Sequence, residues 1–229
     1  MEALDYVTTL IRQYRENLFR EIYQFNNGML AYAHDDYLQD LPMSVLRPLA
    51  ASPKSRCAAI RYAREALKLE EDVYDFSEPR AYLCLFSAEE IQRIIGYIGG
   101  ICFSEQVRKT IIGREILAIK HALGNDAYTF SIRNAPLFVK SVVAEHFQVG
   151  GENLVERMLN TGCSLIGMAL SGLSEAMLRR FQMKFPKNFG WDFRRNADED
   201  SGYCFEFIKR VVKRALKDDS SVAVAMVRA

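Results

Sequence analysis

The stretch IIGYIGGICFSEQVRKTIIGREILAIKHALG, residues 94–124, holds five glycines, three of them crowded at Gly96, Gly99 and Gly100. Such a cluster has two physical readings. It cradles a phosphate on free backbone N–H groups, or it removes side chains so that helices turn and pack closely. The flanking pattern decides between them. Ser87 and Glu90 have capping-box spacing, and Ile91, Ile94, Ile95 and Ile98 step by three and four, so a helix runs into the cluster. Ser104 and Glu105 then open another helix. Its inner side is expected to hold Val107, Ile111, Ile116, Leu117 and Leu123, and Gly124 stands where a C-cap belongs. A phosphate loop would follow a strand, with GxGxxG or GxxxxGK spacing, and neither is present. The cluster reads as packing, and Gly113 as a close approach or a break.

The same period runs outward in both directions. Leu4, Val7, Ile11, Tyr14, Leu18 and Ile22 form one apolar stripe, so residues 1–22 read as an amphipathic N-terminal helix. FNNGMLAYAHDDYLQDLP then breaks the period and reads as a loop with short turns. Ser52 is expected to cap the following helix, with Pro53 at its first position. Beyond Gly124, NDAYTFSIRNAPLFVKSVVAEHF reads as two short helices divided near Pro136. The charge-free run between Arg157 and Glu175 is too short, and too diluted by glycine and polar residues, to span a membrane; it reads as a buried helix. SEAMLRRFQMKFP stops at Pro186, and YCFEFIKRVVKRALK is a basic terminal helix. No alternation lasts long enough to build a sheet. The expected fold is all-α: a compact helical domain over 23–217, preceded by the 1–22 helix and followed by a flexible tail over 218–229.

Bulk properties narrow the function. The chain has 229 residues, 49% apolar, with a formal net charge of +1. Near-neutrality argues against a general nucleic-acid binder. Cys57, Cys84, Cys102, Cys163 and Cys204 are odd in number and lack CxxC spacing, as expected of reduced core thiols in a cytoplasmic protein. His34, His121 and His146 form no HExxH or HxH pair, and no GxSxG elbow is present. Nothing in these patterns points to an enzyme, a metal or a cofactor. One alternative has a specific layout. Residues 104–124 give helix, glycine, helix, as in a helix-turn-helix DNA reader, although the second helix offers base edges only Arg114, Glu115, Lys120 and His121.

Charge is nonetheless uneven. Arg179, Arg180, Arg194, Arg195, Arg210 and Arg214 gather late in the chain, among several lysines, while Glu65, Glu70, Glu71, Asp72, Asp75 and Glu78 gather earlier. Oppositely charged surfaces of this kind steer and orient protein partners, and the six arginines are the candidate partner-binding residues.

The loop that breaks the period carries a resemblance. Phe25-Asn26, then Tyr32-x-His34, then Leu38 looks like the Phe-Asn…Tyr-x-His…Leu signature of the K component of type III secretion sorting platforms, the YscK/SctK family. The likeness continues through EQVRKTIIGREILAIKHALGNDAYTFSIRNAPLF and GLSEAMLRRFQMKFP, and covers roughly residues 22 to 217. Met29 and Asp35 stand where the family has prolines. The resemblance implies a non-catalytic helical adaptor at the cytoplasmic face of the inner membrane. It would link the cytoplasmic domain of the inner-membrane ring protein to the C-ring-like Q subunit. Through Q it would reach the stator-like L protein and the ATPase. It implies no cofactor, no nucleic acid and at most a peripheral relation to the membrane.

Overall fold

A computed structural model describes residues 16–69, 71–135, 138, 149–191, 193, 200–216 and 220–228. Among these residues every regular element is helical, which is the all-α fold expected. The helices are α1 Glu16–Asn27, α2 Met29–Tyr32, α3 Asp35–Leu38, α4 Met43–Ala51 and α5 Arg56–Ala66. A 3-10 helix Pro79–Leu85 follows. Then come α6 Ala88–Cys102, α7 Ser104–Lys109, α8 Gly113–Leu123, α9 Asn125–Arg133, α10 Leu154–Leu170, α11 Glu175–Gln182, α12 Asp200–Ala215 and α13 Ser221–Arg228. The chain divides into two compact units: residues 1–88 with 173–189, and residues 89–172 with 190–229. The helical domain expected over 23–217 spans parts of both units.

In the first unit, α1 packs on α2 and on the 3-10 helix, α11 packs on the 3-10 helix, and α5 lies against α2 and α4. Leu18, Ile22 and Phe25 of α1 are buried, so the lower half of the N-terminal stripe belongs to this core. Leu4, Val7, Ile11 and Tyr14 fall outside the described residues. Phe76, Leu83, Phe86, Phe181 and Phe185 fill the centre. One local expectation is corrected. Met43–Ala51 is a helix with Pro48 inside it. Ser52 closes that helix instead of opening the next, and Pro53 lies in the turn that leads to α5. Pro48 is the sixth residue of α4, so the bond that its missing N–H would have made to the Ser44 carbonyl is given up.

In the second unit, α10 packs on α12, α12 on α13, and α8 on α9. The glycine cluster lies within α6, and its surroundings settle the opening alternatives. A Cβ at Gly96 would stand 2.9 Å from the Leu123 carbonyl oxygen, and one at Gly99 would stand 2.6 Å from that of Met158. From the facing helix, a Cβ at Gly162 would meet the Ile95 carbonyl oxygen at 2.8 Å. These distances exclude any side chain. The missing side chains let helices approach backbone to backbone, and no phosphate enters.

Ile91, Ile94, Ile95 and Ile98 are buried, as their spacing predicts. Of the two readings of Gly113, the break holds: residues 104–124 are interrupted at Thr110–Ile112, just before it. Val107, Ile119 and Leu123 face inward, but Ile111 and Leu117, also expected inside, are exposed. The break rotates α8 relative to α7, so one continuous stripe does not describe both. Gly124, at φ 86°, ends α8 and starts α9 in a conformation that favours glycine. Residues 218–229, expected to be flexible, contain α13, whose Val222, Ala223 and Met226 are buried. That three-and-four spacing supplies an apolar face for α12.

Candidate functional site

The signature residues all lie in the first unit, where they are used as internal ties. Asn26 is fully buried at the end of α1. Its Nδ2 donates to the carbonyls of Ile22, at 3.0 Å, and Val73, at 2.6 Å, while its Oδ1 accepts the Val73 N–H at 2.7 Å. The irregular segment before the 3-10 helix is thereby hung on α1. A buried amide that satisfies its donors and its acceptor in this way is stabilising, and costly to truncate.

Phe25 stacks on Tyr32 with ring centroids 6.4 Å apart and meets the edge of Phe76 at 5.9 Å. The Tyr32 hydroxyl donates to the Phe25 carbonyl at 2.9 Å, which folds α2 back on α1. Burial pushes the Tyr32 phenol well above its ordinary pKa, with the Arg180 charge acting in the opposite direction. Leu38 closes a small cluster with Met29, Ala33, Ala63, Leu69 and Met183.

His34 is the N-cap of α3. Its Nδ1 accepts the Asp36 N–H at 3.2 Å, and the His34 backbone N–H donates to the Met183 carbonyl at 2.7 Å. The Asp36 carboxylate in turn accepts the Lys187 N–H at 3.1 Å. His34 therefore ties the loop to the end of α11. This is an anchoring geometry, with the ring spent on a cap.

Two cations complete the knot. The Lys184 ammonium is buried and donates to the carbonyls of Cys84 and Phe86. It also lies 5.4 Å from the Phe25 ring centre and 5.6 Å from that of Tyr32. A buried ammonium is tolerated here because carbonyl dipoles and ring faces replace its water. The signal was present in the sequence: one lysine inside the apolar run Met183-Lys184-Phe185. Arg180 is fully buried, with Nη atoms donating to the carbonyls of Ala176, Leu69 and Glu71. Burial lowers its pKa. Its expected place on a partner surface is corrected: the side chain is spent inside the first unit.

The other candidate arginines divide. Arg179 is exposed on α11 in the first unit, and Arg210 and Arg214 are exposed on α12 in the second. The Arg214 guanidinium lies 5.8 Å from the Phe130 ring centre. Arg194 and Arg195 lie outside the described residues.

Catalytic groups do not converge among the described residues. His34 belongs to the first unit and His121 is exposed in the second, while His146 lies outside the description. No group of three or more His, Cys, Asp or Glu side chains among these residues is placed to hold a metal. A cleft of about 540 Å³ in the first unit is lined by Glu65, Lys68, Glu71, Glu175, Arg179 and Arg180, carboxylates and cations in equal number. Burial pushes the Cys84 and Cys102 thiols up to about 12, which leaves them protonated and inert at neutral pH. The exposed face of α8 holds Arg114, Glu115, Leu117, Ala118 and His121, apolar at its centre, and nothing on it favours base reading over protein contact.

No described helix is long and apolar enough to cross a membrane. What the first unit defines is a protein of the all-helical class, whose most distinctive side chains hold its own segments together. The family model described as YOP proteins translocation protein K (YscK) matches residues 21–216, so the chain belongs to the YscK family, a structural component of type III secretion systems. No curated protein and no solved structure matches it.

Proposed function

We propose that the chain is a non-catalytic cytoplasmic adaptor of the sorting platform, lying at the inner face of the inner membrane. It joins the cytoplasmic domain of the inner-membrane ring protein to the C-ring-like Q subunit, and through Q to the stator-like L protein and the ATPase. The observation that carries this reading is family membership over residues 21–216. Two further features support it. The signature residues Phe25, Asn26, Tyr32, His34 and Leu38 are spent on cohesion, as a load-transmitting spacer requires. Two units with separate cores give two bodies, each able to present an interface.

Arg179, Arg210 and Arg214 are the exposed members of the candidate basic set, and Arg194 and Arg195 complete it by sequence. Reversing Arg210 and Arg214 together, and Arg179 separately, tests the assignment. The expected result is reduced co-purification with either the ring protein's cytoplasmic domain or the Q subunit. Unchanged recovery of both partners from all variants refutes a role for these arginines. Failure of the wild-type chain to bind either partner refutes the adaptor reading itself.

A further inference from the structure

We propose that the α7–α8 junction is a docking site for an amphipathic helix of a partner protein, one with an apolar stripe flanked by carboxylates. Ile111 is 88% exposed, Leu117 67% and Ile112 48%. On the same two helices Val107, Ile119 and Leu123 are buried, so the local core is complete without the exposed three. Together the three present on the order of a few hundred Å² of apolar surface, the size at which such a patch on one chain is commonly functional. On α8, Arg114, Leu117, Ala118 and His121 recur at helical spacing and are all exposed. That face sets a leucine beside a small alanine at its centre, the relief into which a second helix packs.

Charge selects the occupant. Arg108 and Arg114 bracket Ile111 and Ile112 in the chain, and both are exposed. The Arg108 Nε reaches the Ser104 carbonyl at 3.4 Å, and among the described residues neither guanidinium has a carboxylate partner. Glu105 lies 3.7 Å from Lys109. Two unpaired arginines beside an apolar patch are complementary to carboxylates flanking an apolar stripe. An anionic bilayer would meet the same two arginines, and a cross-link to lipid is the outcome that would reveal it. A second copy fits less well. A two-fold contact centred on this patch would bring Arg108 and Arg114 of one chain against the same residues of the other. The proposal uses none of Arg179, Arg210 and Arg214, and it does not depend on the adaptor reading.

The test places a photo-cross-linking amino acid at position 111, and separately at 117, in the full chain in its native host. The cross-linked peptide is then sequenced by mass spectrometry. The expected product is a segment of one partner protein with apolar residues at three-and-four spacing and neighbouring Asp or Glu. A synthetic peptide of that segment should bind the purified chain. R108E/R114E and I111S/L117S should each weaken that binding at least tenfold while leaving the thermal midpoint unchanged. Cross-links to lipid, to another copy, to another part of the same chain, or to nothing overturn the proposal. So does peptide binding that ignores R108E/R114E.

Discussion

Asn26 and Val73 pair with each other as residues on neighbouring strands do, although one partner is a side chain: the Asn26 amide gives Val73 a donor at 2.6 Å and an acceptor at 2.7 Å. Both residues are buried. Asn26→Ala strands the Val73 N–H and C=O away from water, and each such group costs about 1–3 kcal/mol. The expected loss is on the order of 3 kcal/mol, read from the denaturant midpoint with an unchanged slope. Asn26→Asp keeps an acceptor but turns a carboxylate toward two carbonyl oxygens, so it should be no better than alanine at neutral pH. A loss under 1 kcal/mol for both variants would mean that the pairing is incidental.

Arg179 and Arg180 are neighbours with opposite fates, and charge reversal should separate them. Arg180 is buried among the carbonyls of Leu69, Glu71 and Ala176, and its Nε has no hydrogen-bond partner. Replacing it by glutamate buries an unpaired carboxylate against oxygen atoms, a change that typically costs about 3–5 kcal/mol. Arg179→Glu alters an exposed position and should move stability by no more than about 0.5 kcal/mol. Circular dichroism melts of both variants decide the matter: equal midpoints would place Arg180 on the surface after all.

The contrast between these two arginines also shows where sequence reasoning stops. A run of basic residues looks like a solvated face, because two of the three carbonyls that claim Arg180, those of Leu69 and Glu71, lie more than 100 positions away in the chain. Local period was legible: Ile91, Ile94, Ile95 and Ile98 declare their buried face without help from any neighbour. The packing role of the α6 glycines was legible from their flanks, but the backbones they admit, at Leu123 and Met158, were not, because these belong to other helices. The signature loop could be recognised by its residue types, yet its work could not. Nothing near Asn26 announces Val73, and nothing near Phe25 and Tyr32 announces Lys184. A break near Gly113 was one of the readings, but the exposure of Ile111 and Leu117 escaped because both fit a helical stripe as well as residues that are truly inside. Division into two units was hidden for a related reason, since residues 173–189 return to a core laid down by the first 88.

Gly99 and Gly113 should respond in opposite directions to the same substitution. A Cβ at Gly99 falls 2.6 Å from the Met158 carbonyl oxygen, a rigid backbone atom that can yield only if α10 shifts. Gly99→Ala is therefore expected to cost about 1–3 kcal/mol as overpacking. A Cβ at Gly113 meets nothing within 4 Å, and its φ is negative, so alanine there needs no rearrangement. Gly113→Ala should stabilise by about 0.4–1 kcal/mol through the reduced freedom of the unfolded chain. Thermal midpoints that move the same way in both variants would refute the assigned roles.

The buried thiols set a pH dependence whose sign is fixed. Cys84 and Cys102 are free and buried, and burial is the chief cause that pushes their thiols from an ordinary value of about 9 up to about 12. Below pH 9 both states of the protein keep these protons and stability is unaffected. Between about 9 and 12 the unfolded chain releases them while the folded chain does not, so the folded state loses stability as pH rises. Each thiol contributes up to about 1.4 kcal/mol per pH unit across that window. Denaturant melts from pH 8 to 11 should show a falling midpoint, and the Cys84→Ala/Cys102→Ala double variant should show a shallower fall. Thiol labelling gives an independent check at neutral pH. Cys57 is exposed and should react with a thiol reagent in the native protein, while Cys84, Cys102 and Cys204 should react only after unfolding. Rapid native labelling of Cys84 or Cys102, with no change in the midpoint at high pH, would show that solvent reaches thiols assigned here to the core.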